Sequence, residues 1–121
     1  MSFEMLVAAV GYVALGLFYI ANGALHFWQF RELTSAMAAR RIPLPAVALT
    51  VASIFQIAAG GALAMQTDIK ASAIGLAVFT VAASLIFLDF WRQSGPARKA
   101  AINTWQANLA LTGALVVIGL H

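Results

Sequence analysis

Four long apolar runs dominate this chain of 121 residues, spanning approximately Met5–Phe27, Val47–Met65, Ala71–Phe90 and Ile102–Leu120. Each is close to the roughly 20 residues that a helix needs to cross the hydrocarbon core of a bilayer. In lipid, every backbone N–H and C=O of such a run must be satisfied within the run itself, which a helix achieves. The runs therefore predict an all-α membrane protein. We expect residues 1–121 to form one domain, in which four transmembrane helices make an antiparallel bundle.

The composition supports a lipid environment. Only 9% of the residues are charged and 63% are hydrophobic, whereas about 25% of the residues in a soluble domain are charged. The net charge of +3 comes from seven basic residues scattered between apolar runs, a pattern that indicates membrane topology and argues against nucleic-acid binding. The chain has no cysteine, which excludes disulfides, thiolate nucleophiles and cysteine-ligated clusters.

The basic residues also predict the orientation. Six of the seven fall in the first and third loops: Arg31, Arg40, Arg41, Arg92, Arg98 and Lys99. The second loop holds only Lys70. Because cytoplasmic loops of membrane proteins are enriched in Lys and Arg, loops one and three are expected in the cytoplasm and both termini outside it.

The first loop predicts a short interfacial helix. In "FRELTSAMAARRIPLP", Phe30, Leu33 and Met37 recur at helical spacing, and Pro43 and Pro45 follow. Proline cannot continue a helix, so the segment should end before the second apolar run. It would serve as a connector on the membrane surface or as a lid over a cytoplasmic pocket.

Polar side chains lie in the cytoplasmic half of all four predicted helices. At ~1.5 Å per residue, Asn22 lies roughly 9 Å inside the cytoplasmic boundary, Asn108 about 10 Å, Gln56 about 14 Å and Asp89 about 3 Å. Such side chains turn toward the bundle interior, because lipid offers no partners. They predict a cytoplasmic-side pocket whose ligand-binding residues are Tyr19, Asn22, Gln56, Trp105 and Asn108. The candidate catalytic residues are His26 and Asp89, with Asp89 facing inward on a stripe formed by Gly75, Phe79, Ala82, Ile86 and Asp89.

Each of these residues also has a purely structural interpretation. Gln56 and Asn108 could bridge helices without binding anything. His26 could reach toward the headgroups, Asp89 could pair with Arg92, and Trp105 could anchor the chain at the interface. The glycines within the helices favour close packing, which would serve either the bundle or a homo-oligomer.

Metal and haem sites find little support in the sequence. His26 and Asp89 alone are too few to hold a metal ion. Bis-histidine haem ligation is excluded within one subunit, because His26 and His121 lie at opposite ends of the membrane. A haem held by His26 alone is a less favoured alternative, and the cofactor is otherwise left open, with a quinone as the leading candidate.

Several motifs resemble the DoxX family of small four-helix membrane proteins. They are "LGLFYIANGALHFWQF", "RRIPLP", "QIAAGGALAM", "LIFLDFW" and "NLALTGALVVIG", in this order and spacing. The resemblance implies a multi-pass protein of the bacterial inner membrane, linked to quinone-coupled or thiol-linked redox systems and to a redox partner subunit. Gln56 stands where such proteins often have glutamate, and His26 where lysine is frequent.

Three functions follow as hypotheses. The first is a membrane subunit of a quinone-linked redox or oxidative-stress system that binds a small hydrophobic ring compound. Tyr19 and Trp105 would stack on the ring, and Asn22 and His26 would bond its carbonyls. The second is an autonomous membrane isomerase of a small apolar substrate, with Asp89 and His26 as acid and base. The third is a structural or transport component whose polar residues only join helices.

Overall fold

The computed structural model describes Ser2–Leu120, so His121 lies outside the described residues. Within this range the chain forms five α-helices and no strand. They are α1 (Phe3–Trp28), α2 (Phe30–Ala39), α3 (Pro45–Ala64), α4 (Ile69–Phe87) and α5 (Gly95–Leu120). All but α2 belong to segments long and apolar enough to cross a membrane. The predicted all-α membrane protein with four transmembrane helices is thus confirmed.

The helix boundaries differ from the hydropathy boundaries at two places. Helix α4 ends at Phe87, and a short 3-10 turn, Phe90–Arg92, follows it. Helix α5 begins at Gly95, well before the predicted start at Ile102. A helix backbone can continue through charged residues such as Arg98, and Pro96 fits the first turn because its missing N–H needs no partner there. The apolar run therefore marks the part of α5 suited to lipid and not the whole helix.

The described chain divides into two compact units, residues 2–68 and residues 69–120. In the first unit, α1 and α3 pack as an antiparallel pair through glycines. Gly16 lies against the backbone of Gly60, whereas Gly23 lies against Ser53 and Ile57. A Cβ added at Gly60 would sit only 2.8 Å from the Gly16 carbonyl oxygen. Gly16 and Gly60 therefore permit a close approach of the two helix backbones, which any larger residue would block.

Helix α2 is the short helix predicted for the first loop, and it packs on α3. Its Met37 is buried. The helix ends in a Schellman motif, in which Ile42 N–H donates to Met37 O at 3.1 Å and Arg41 N–H donates to Ala38 O at 3.0 Å. Arg41 therefore adopts φ 60°, the left-handed conformation that usually favours glycine. Pro45 then begins α3.

In the second unit, α4 and α5 also pack as an antiparallel pair, with Gly119 beside Ile74 and Asn108 beside Ser84. The buried face of α4 consists of Ser72, Ala73, Leu76, Ala77, Thr80 and Ser84. Ala82 and Ile86 of the predicted stripe lie outside this buried face, so the inward orientation of that stripe stays a prediction. Asp89 does not continue that stripe, since α4 ends two residues before it.

Candidate functional site

A polar contact joins α1 and α3 where the last turns of α1 pass the middle of α3. His26 Nδ1 lies 3.1 Å from Ser53 Oγ. Ser53 is fully buried and His26 is half-buried, so the imidazole is reachable while the hydroxyl is covered. Ser53 lies three residues before Gln56 on α3 and is not among the predicted site residues. We define Asn22, His26, Ser53 and Gln56, with Tyr19 beside them, as the α1–α3 polar cluster.

Gln56 is the unusual member of this cluster. It lies one turn after Ser53 and one turn before Gly60, and only 4% of its surface is exposed. Its Oε1 is buried and has no hydrogen-bond partner among the described residues. Leaving a buried acceptor unsatisfied costs about 1–3 kcal/mol, so such an atom is a preferred position for an additional donor.

Asn22 lies one turn before His26 on α1, and Tyr19 lies two turns before it. Tyr19 is 2% exposed, packs against Gly60, and has its ring 5.2 Å from that of Phe18 in an edge-on arrangement. Asn22 Nδ2 donates to Phe18 O, 2.8 Å away on its own helix. That bond satisfies one donor of Asn22 and leaves its carbonyl oxygen to interact with other groups.

The predicted ligand contacts in the second unit join its two helices. Asn108 Nδ2 donates to Ser84 Oγ at 2.9 Å, and Ser84 Oγ lies 2.7 Å from Thr80 O. Trp105 Nε1 donates to Leu88 O at 2.6 Å. That carbonyl follows the last turn of α4 and also accepts a hydrogen bond from Phe90 N–H at 2.8 Å. Each bond gives its residue a structural role in holding α5 against α4.

Asp89 lies between the end of α4 and the 3-10 turn. It is half-buried, and its Oδ1 accepts a hydrogen bond from Gln93 Nε2 at 2.9 Å. This bond joins the carboxylate to a residue of its own loop. His26 belongs to the first unit and Asp89 to the second, so their action as an acid–base pair stays a prediction.

The chemistry available in the α1–α3 polar cluster is hydrogen bonding and proton exchange. His26 can donate or accept a proton, Ser53 orients the ring, and Gln56 offers an acceptor. Among the described residues, no group of three or more His, Asp or Glu side chains is placed to hold a metal ion.

Comparison of the chain with protein-family models, with curated proteins and with solved structures finds no match. Its function is therefore inferred from its own side chains and from the motifs quoted above.

Proposed function

We propose that the protein is a membrane subunit of a quinone-linked redox or oxidative-stress system. It binds a small hydrophobic ring compound at the α1–α3 polar cluster. The observation that carries the proposal is the buried, unpartnered Oε1 of Gln56, one helical turn from the Ser53 that bonds His26. The DoxX-like motifs supply the redox class and the bacterial inner membrane as the location.

A ring with oxygen substituents suits these groups. Ser53 engages one ring nitrogen of His26, and the other, Nε2, can donate to a ring carbonyl or accept from a ring hydroxyl according to its tautomer. Gln56 Oε1 is an acceptor, so it can bond a ring hydroxyl but not a ring carbonyl. The pair therefore fits a hydroquinone or catechol best, with the apolar part of the ring beside Tyr19. Because Gln56 is covered, the ligand must displace neighbouring side chains to reach it, and we expect slow association.

A structural component is the second candidate, favoured by the two interhelical bonds His26–Ser53 and Asn108–Ser84. Such bonds stabilise helix pairs in membranes without any ligand. The autonomous isomerase is a third candidate, which needs His26 and Asp89 to act on the same substrate. The three candidates differ in what the isolated protein should carry or catalyse.

Native mass spectrometry of the protein extracted gently from its own membranes tests the redox-subunit proposal. We expect the protein to carry an extra mass that corresponds to a small aromatic compound. Hydroquinone added to the sample should displace this compound. A protein free of small molecules that also fails to bind hydroquinone, catechol or quinone would contradict the proposal. Turnover of an apolar substrate by the pure protein would instead favour the isomerase.

We also propose that α2 and the α4–α5 connection face the cytoplasm, as the six-to-one distribution of basic residues indicates. Ser2 and Ser94 should then lie on opposite sides of the membrane. Single cysteines introduced at each position can be labelled in intact cells with a membrane-impermeant maleimide. We expect labelling at position 2 and protection at position 94, and the reverse pattern would invert the topology.

A further inference from the structure

The turn that ends α2 presents positive charge at a membrane boundary. Trp28 ends α1 and is 88% exposed, and Leu44 precedes α3 and is 72% exposed. Exposed Trp side chains at the ends of apolar helices are typical of the boundary between hydrocarbon and headgroups. Because α2 connects these two ends and packs on α3, its C-terminal turn lies at that boundary.

The position of Arg41 is held by the backbone. The Schellman bonds from Arg41 N–H and Ile42 N–H close the turn, and the adjoining Met37 is buried. Arg41 is exposed and so is Arg40, whose guanidinium Nη1 also donates to Ala36 O at 3.4 Å. Arg41 occupies a left-handed position where glycine would be less strained. The turn therefore holds a charged, exposed residue in a fixed backbone conformation.

We propose that the Arg40–Arg41 turn binds the headgroup phosphate of an anionic phospholipid in the leaflet that contacts α2. A guanidinium matches phosphate geometry with paired N–H donors, and two adjacent arginines strengthen the attraction. The charge is complementary to an anionic leaflet, to which basic residues beside a membrane helix are attracted. The acyl chains would lie along the exposed apolar surface near Leu44. The site is independent of the α1–α3 polar cluster.

The chain offers matched variants for a test. Helix α3 ends in the same motif, with Thr67 N–H donating to Ala62 O and Gln66 at φ 57°. Arg41→Gly and Gln66→Gly therefore relieve the same backbone strain, and both should fold. Only Arg41→Gly removes a charge from the proposed site. Lys99→Gln, an exposed position in the first turns of α5, removes a charge elsewhere.

The measurement is a native mass spectrometry titration of detergent-solubilised protein with phosphatidylglycerol and with phosphatidylcholine. We expect tighter binding of phosphatidylglycerol by the original chain, a loss of about fivefold to tenfold in Arg41→Gly, and unchanged binding in Gln66→Gly and Lys99→Gln. Excess inorganic phosphate should displace little lipid. Equal binding of the two lipids, an equal loss in Lys99→Gln, or complete displacement by inorganic phosphate would overturn the proposal.

Discussion

Gly60→Ala should lower the stability of the protein in lipid, whereas Gly61→Ala should leave it unchanged or raise it. A Cβ at Gly60 would meet the Gly16 carbonyl oxygen at 2.8 Å and the Tyr19 Cβ at 3.1 Å, and α1 would have to move away. Overpacking of this kind costs typically about 1–3 kcal/mol. A Cβ at Gly61 meets nothing within 4 Å, so the variant gains only the better helix propensity of alanine, about 0.5–1 kcal/mol.

Unfolding in mixed micelles with increasing sodium dodecyl sulfate would measure this difference in the free energy of unfolding. The two sites are adjacent on one helix, so insertion and expression should be affected alike. Gly113→Ala on α5 is a second control, because nothing lies within 4 Å of the added carbon there either. Equal stability of the Gly60 and Gly61 variants would show that the close contact between α1 and α3 does not limit stability.

Gln56→Leu should weaken the binding of a hydroquinone about tenfold while leaving the protein as stable or more stable. The bound hydroxyl loses its acceptor, and a hydrogen bond contributes about 0.5–1.5 kcal/mol, where 1.4 kcal/mol corresponds to tenfold in affinity. In the ligand-free protein the substitution removes a buried acceptor that has no partner. Equilibrium binding and unfolding would be measured on the same preparations.

Asn108→Leu is the matched control, and it should show the opposite pattern. It removes the bond to Ser84, and interhelical hydrogen bonds in membranes are worth ~0.6 kcal/mol on average. Stability should therefore fall slightly while ring binding is retained. If Gln56→Leu instead destabilised the protein and bound the ring normally, Gln56 would be a bridge between helices and the proposed site would be wrong.

The transmembrane helices could be predicted from the sequence because lipid imposes a simple rule on length and polarity. The short helix was also predictable, since Phe30, Leu33 and Met37 repeat at helical spacing and Pro45 fits the start of α3. The rule does not predict where a helix ends within an apolar run. No glycine or proline marks the end of α4 at Phe87. The bond made there, from the indole N–H of Trp105 to Leu88 O, comes from a distant part of the chain.

Two further features were not predicted, for related reasons. The buried face of α4 carries the hydroxyls of Ser72, Thr80 and Ser84, which are a weak signal on an otherwise apolar helix. Small residues occur on both candidate stripes, at Gly75 and Ala82 as well as at Ala73 and Ala77, so they did not identify the face that packs on α5. The pairing of His26 with Ser53 depends on the register of α1 against α3, which the glycine contacts determine.

The Ser and Thr hydroxyls of helices α3 and α4 affect how the protein is inserted into the membrane. Thr50, Thr80 and Ser84 each donate to a carbonyl four residues earlier on their own helix. Each helix can therefore leave the translocon with these hydroxyls already satisfied, before any neighbour has arrived. Biogenesis can then be divided into two stages. Helices α3 and α4 can first insert singly, and the inserted helices then associate laterally in the membrane. The side chains that gain their partners only in that second stage include His26 and Asn108.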